Sequence, residues 1–153
     1  MRALVRCRKE LDGYTVAICQ AQNAVKTCAA RLVQTYGLNI EVLPRVEYST
    51  ILKHMASSRI FMALTVNDGL PSMLCEAMGL GAFPVHSRIE SVEEWVTDGD
   101  NGLLVPAEDP QATAQALRRA LLDDALVGQA MIFFPGRRLE PPRAMMTPNT
   151  RWP

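Results

Sequence analysis

Along residues 1–130, apolar residues fall either in short continuous runs or at a spacing near 3.6. Short runs between turn residues predict buried strands, and the 3.6 spacing predicts helices with one apolar side. Met1 to Asp12 reads as a helix with Leu4, Cys7 and Leu11 on one side, ended by Gly13. Tyr14 to Cys19 is β-branched and aromatic, hence a strand. Val25, Cys28, Ala29, Leu32, Val33 and Tyr36 mark a long helix closed by Gly37, and Asn39 to Leu43 is the next strand. Arg45-Val46-Glu47-Tyr48 leads to a short helix with Ser49 as N-cap and Ile51, Leu52, Met55 and Ala56 facing inward.

The central stretch, Ile60 to Ser87, predicts strand, acidic loop, helix, strand. Ile60 to Val66 is the apolar strand, and Asn67-Asp68-Gly69 breaks it with turn chemistry. Pro71 suits a first helical position. Leu70, Met73, Leu74, Ala77 and Met78 then share one helix face, and Gly79 and Gly81 stop the helix. Ala82 to Val85 reads as extended, although Pro84 removes a ladder donor and argues against a central strand. Ser91-Val92-Glu93-Glu94 has the pattern of a capping box, and Trp95 is expected to pack. Leu103 to Val105 is a short strand, and Asp109-Pro110 opens a helix that continues to about Val127. Strands alternating with helices predict an α/β fold, with a mainly parallel sheet and helices on both faces.

From Phe133 the pattern ends. Pro135, Gly136, Pro141, Pro142, Pro148 and Pro153 exclude long regular structure, and Arg137, Arg138, Arg143 and Arg151 make the segment basic. The expected organisation is one domain over 1–130 and a Pro/Arg-rich, disordered tail over 131–153.

Composition narrows the function. The 153 residues are 48% hydrophobic and 21% charged, enough apolar content for a core. Sixteen basic and sixteen acidic residues cancel, so no bulk charge favours nucleic acid. Cys7, Cys19, Cys28 and Cys75 lack metal-ligand spacing and read as small buried thiols, which suits a reducing, cytoplasmic setting. No metal site is expected. No apolar run is long enough to span a bilayer, and no secretory leader pattern opens the chain. His54 reads as a surface residue and His86 as structural.

The candidate chemistry lies in two acids. Asp68 precedes the helix N-terminus, and Glu76 lies five residues past Pro71, roughly 7 to 8 Å down the axis. Between them are unpaired N–H groups and the positive end of the helix dipole, which suit a phosphate. By pattern alone, a loop or capping acid at Asp68 and a solvated helix acid at Glu76 are the commoner readings. The wording of the stretch changes that balance. Asn67-Asp68-Gly69-Leu70-Pro71-Ser72 with Glu76-Ala77-Met78 and Ala82-Phe83-Pro84-Val85 closely resembles the E-x7-E region of retaining glycosyltransferases of the GT-B fold, group-1 class. Glu94 to Pro106, followed by Asp109-Pro110, matches as well. Asp68 stands where many members carry Glu, keeping the charge with a shorter reach.

The resemblance implies a Rossmann-like three-layer domain, the C-terminal, donor-binding half of a GT-B enzyme that transfers a hexose from a nucleotide-diphosphate sugar with retention. It implies that Asp68 acts on donor-sugar hydroxyls as the catalytic-site acid. Gly69, Leu70, Pro71 and Ser72 would line the sugar and diphosphate, Glu76 the ribose, and Val46 and Glu47 the base. The donor is then a substrate and no cofactor is implied. It further implies that the domain's first strand, with its phosphate-binding Arg and Lys, and the N-terminal acceptor-binding domain lie outside these residues, leaving the chain inactive alone. The competing expectations are a nucleotide-sugar-binding fragment without turnover and an unrelated α/β interaction domain.

Overall fold

A computed structural model describes residues 1–69 and 71–130. Five short parallel strands alternate with seven helices among them. The order is α1 (Arg2–Arg6), β1 (Val16–Ile18), α2 (Asn23–Tyr36), β2 (Ile40–Val42), α3 (Tyr48–Ser57), β3 (Ile60–Ala63), α4 (Ser72–Gly79), β4 (Phe83–Ser87), α5 (Glu90–Glu93), β5 (Leu103–Val105), α6 (Pro110–Leu122) and α7 (Asp124–Ala130). The alternation predicts this α/β class correctly. The reading of 131–153 as a tail lies outside the described residues.

The strands form two sheets rather than one continuous sheet. β1 pairs with β2, and β3, β4 and β5 pair in that order, all parallel. Side-chain alternation assigns the layers. Phe83, Val85, Leu103 and Val105 point to α6 and α7, packing on Ala116, Ala120, Leu126 and Val127. Leu104 points the other way, to Leu74, Met78, Val92 and Val96 of the α4–α5 side. Val16, Ile40, Ile60 and Met62 share one cluster with Leu4, Cys7, Leu32 and Leu117, so the two sheets and α1, α2 and α6 meet in one core. Helices therefore cover both faces, giving three layers.

β4, the strand that Pro84 argued against, is buried at all five positions. Parallel N–H groups alternate between neighbours, and the Phe83 N–H goes to the Arg59 carbonyl at 2.9 Å, on the β3 side. The missing Pro84 donor thus falls on the β5 side, where pairing begins only at Val85↔Leu103. The proline costs no ladder bond there. By contrast, the predicted strand Ile60–Val66 stops at Ala63; its residues are half-buried, and Val66 is 74% exposed.

Other boundaries shift for identifiable reasons. The first helix ends at Arg6, and turns run from there to Gly13, whose φ is +81°. Glu47, not Ser49, is the N-cap of α3. The supposed capping box fails: α5 starts at Glu90 after the N-cap Ile89, and the Ser91 hydroxyl donates to the Asp68 carbonyl at 2.5 Å instead. Asp109 caps α6 as expected, accepting from the Gln111 and Ala112 amides. The expected single helix to Val127 breaks at Asp123, which leaves helical geometry and accepts from the Leu126 N–H at 2.9 Å. Trp95, expected to pack, is exposed, and His54, expected at the surface, is half-buried. Cys7 is a buried free thiol; Cys19, Cys28 and Cys75 are free and half-buried.

Gly102 is tightly packed against neighbouring side chains. A Cβ there would meet Val96 Cγ1 at 2.6 Å and Pro84 Cγ at 2.7 Å, while a Cβ on Gly79 would meet nothing within 4 Å. Gly102→Ala is expected to destabilise the domain by about 1–3 kcal/mol through overpacking. Gly79→Ala, at the end of α4, is expected to be neutral or stabilising by up to about 1 kcal/mol. Thermal melts of the two variants, side by side, check this.

Candidate functional site

The anticipated site residues follow the carboxyl ends of β2 and β3, where open parallel sheets bind ligands. Val46 and Glu47 lie between β2 and α3, and Asp68, Gly69, Pro71 and Ser72 lie between β3 and the first turn of α4. Leu70 lies outside the described residues. Val46 is half-buried against the Ile51 and Met55 cluster, and Glu47 is exposed as the cap of α3. Gly69 and Ser72 are exposed, Asp68 is half-buried, and Pro71 is buried.

Pro71 is the N-cap of α4 rather than its first helical residue. The first helical bond runs from the Cys75 N–H to the Pro71 carbonyl at 3.1 Å. The amides of Ser72, Met73 and Leu74 therefore precede the ladder, and neither a capping side chain nor a first-turn acid occupies that end. Such a terminus carries partial positive charge toward the strand ends. Pro71 itself has no N–H to offer; it fixes the turn.

The acidic loop is held from two sides. Ser91 binds the Asp68 carbonyl, and the Ser87 hydroxyl donates to the Thr65 carbonyl at 2.5 Å. The Asp68 carboxylate has no hydrogen bond or ion pair among the described residues. His86 lies within β4, buried, with Nδ1 3.1 Å from the Ser87 carbonyl oxygen, which fits the structural role expected of it.

Glu76 sits in the second turn of α4 and is half-buried. Its Oε2 is buried with no hydrogen-bond partner among the described residues. Leu74, two residues earlier, is 1% exposed and packs on Met78, Val92, Val96 and Leu104. α3 and α4 pack together through Ile51, Met55 and Ala77. Across that packing Tyr48, the first residue of α3, faces Glu76. The Glu76 carboxylate beside the phenol, and then desolvation, hold the Tyr48 pKa above its ordinary value. The sequence reading passed over Tyr48 because the contact joins two helices and no spacing marks it.

An open groove of about 440 Å³ lies elsewhere, between α2 and β2, lined by Lys26, Ala29, Val33, Ile40, Val42 and Pro44. None of the anticipated residues lines it. Among the described residues no cluster of His, Cys, Asp and Glu is placed to hold a metal ion, and no helix is long and apolar enough to cross a membrane.

Comparison with known proteins adds an independent line. The family model described as glycosyl transferases group 1 matches residues 2–123. A D-inositol 3-phosphate glycosyltransferase of Corynebacterium urealyticum is 31% identical over 100 residues, covering 63% of this chain and 23% of that protein. The same enzyme of a Nocardioides species is 28% identical over 89 residues, covering 58% and 19%. The chain thus spans about a fifth to a quarter of the length of these relatives. Among solved structures, the C-terminal domain of a glycosyl transferase group 1 family protein from Francisella tularensis superposes with a TM-score of 0.74 at 18% identity, over 85% of this chain and 70% of that one. The pneumococcal O-GlcNAc transferase GtfA, in complex with UDP and GlcNAc, gives 0.72 at 19%, over 87% and 27%. At these identities the structural likeness is one of fold.

Glu76 and Leu74 separate site from core within one helix. Leu74→Ala is expected to cost about 2–5 kcal/mol, the range for a buried leucine. Glu76→Gln is expected to change stability by less than about 1 kcal/mol. Chemical denaturation of both variants reads the difference.

Proposed function

The chain belongs to the group 1 glycosyl transferases, with the fold of the C-terminal half of a GT-B enzyme, and from that premise we propose that residues 46–76 bind a nucleotide-diphosphate sugar. On this reading the complete enzyme transfers the hexose to an acceptor with retention. The acceptor is held by a second domain facing these strand ends.

The observation that carries the reading is the buried, unpaired Oε2 of Glu76. A carboxylate oxygen out of water with no donor is costly, and a ligand hydroxyl relieves that cost. The vicinal hydroxyls of a ribose are suitable donors, and bonds to a charged acceptor are the stronger kind. The uncapped amino end of α4, two to four residues before Glu76, suits the diphosphate attached to that ribose. The half-buried Asp68 lies ahead of the same terminus, where it can accept from the sugar hydroxyls. On this reading Val46 and Glu47, just ahead of α3, meet the base.

The test is a calorimetric titration of the 153-residue chain with nucleoside diphosphates. One of them is expected to bind, and Glu76→Gln to weaken it about tenfold or more, since bonds to charged groups are worth about 1.5–3 kcal/mol. The melting temperature is expected to stay near that of the parent. Unchanged affinity in Glu76→Gln contradicts the ribose assignment, and loss of folding makes Glu76 structural. Alone, the chain is expected to transfer no hexose to an added acceptor, because nothing holds the acceptor near the donor carbon. Acceptor-dependent release of nucleoside diphosphate above a blank contradicts that expectation.

A further inference from the structure

We propose that the Thr65 hydroxyl is a further ligand contact at the carboxyl edge, donating to a diphosphate oxygen of the nucleotide-sugar. The inference rests on the donor-binding reading above. It adds a residue that lies ahead of the acidic motif and that the sequence pattern placed inside a strand.

Threonine hydroxyls ordinarily find a backbone carbonyl nearby. Thr27 donates to the Asn23 carbonyl at 3.0 Å, and Thr113 to the Asp109 carbonyl at 2.8 Å. Thr65 Oγ1 is buried and has no hydrogen-bond partner among the described residues. A hydroxyl in that state is costly, and a ligand atom that takes the bond offsets the cost. Glu76 Oε2 is in the same state, and the two orphaned groups bracket the acidic loop and the amino end of α4.

The Thr65 hydroxyl is held in place as well as unpaired. The Thr65 carbonyl accepts from Ser87 Oγ at 2.5 Å, and Ser87 is fully buried in β4. A β-branched side chain on a pinned backbone has few rotamers, so the oxygen has little freedom to turn toward another partner. In β3, Ile60 and Met62 pack toward α6 and Phe61 toward α4, so odd-numbered positions belong to the α4 face. Thr65 has that parity, two residues beyond the strand, in the loop that leads into α4.

Hydrogen-bond roles assign the part of the ligand. Asp68 and Glu76, as carboxylates, can only accept, so they suit sugar and ribose hydroxyls. A threonine hydroxyl can donate, and the anion drawn to the uncapped amino end of α4 is an acceptor for it. Bonds to a charged oxygen are also the stronger kind.

The test uses Thr65→Val, which keeps the shape and removes the hydroxyl, and Thr65→Ser, which keeps the hydroxyl. The probes are uridine, guanosine and adenosine diphosphates and the three nucleosides, titrated into the 153-residue chain. Thr65→Val is expected to bind the preferred diphosphate about tenfold more weakly and the matching nucleoside as the parent does. Thr65→Ser is expected to stay closer to the parent. Without ligand, Thr65→Val is expected to melt no lower than the parent, because the hydroxyl it removes has no partner to lose. A lower melting temperature, or failure to fold, means that the hydroxyl is already bonded within the protein and overturns the proposal. Equal weakening of diphosphate and nucleoside makes Thr65 a loop-shaping residue, and a Thr65→Ser loss as large as that of Thr65→Val shows that the hydroxyl is not what matters; either overturns it. If Glu76→Gln weakens the diphosphate and Thr65→Val does not, this contact fails while the donor reading stands. If the parent binds none of the diphosphates, the donor reading fails and this contact with it.

Discussion

The structure depends on the burial of β4 between two helical layers. All five residues from Phe83 to Ser87 are buried, with α6 and α7 against Phe83 and Val85 and the α4–α5 side against Leu104 of the neighbouring strand. That burial requires β5 to approach closely, and Gly102 permits it beside Pro84 and Val96. β4 in turn sets the register of β3, from Ile60↔Phe83 to Ala63↔His86. The acidic loop leaves from the end of β3, and the hydroxyls of Ser87 and Ser91 hold that loop by its backbone. The candidate site thus hangs from the most buried strand through two serine side chains.

The chemistry follows from where the helices begin. In a parallel α/β arrangement every crossover helix starts at the carboxyl edge, so α3 and α4 both present amino ends on that side. α4 has no capping side chain, which leaves the amides of its first turn available. Leu74 and Glu76 show how one short helix serves two purposes. Leu74 belongs to the core, whereas Glu76 carries a buried carboxylate oxygen that the core does not satisfy. On the reading proposed here, a ligand hydroxyl supplies the partner that Glu76 lacks.

Much of this was legible in the sequence. The alternation of strands and helices, the caps at Gly37 and Asp109, and the inward positions Leu74, Ala77 and Met78 of α4 followed from spacing and turn chemistry, whereas Met73, expected on the same face, is exposed. The failures share a physical cause. Pro84 argued against the strand that proved most buried, because ladder direction, which decides whether a missing N–H matters, is a tertiary fact. Ser91 had the pattern of a cap but is bonded to another loop, and Val66 continued an apolar run that the sheet does not use.

The central claim is that the carboxyl edge around α3 and α4 binds a nucleoside diphosphate. Amide chemical shifts of the nitrogen-15 labelled chain, followed during titration with the diphosphate of the preferred base, test it most directly. The account predicts saturable shifts concentrated at residues 46–51 and 67–76, with the Ser72 to Leu74 amides among the largest. Shifts confined to the α2–β2 groove around Lys26, Val33 and Val42, or no saturable shifts at all, would contradict it.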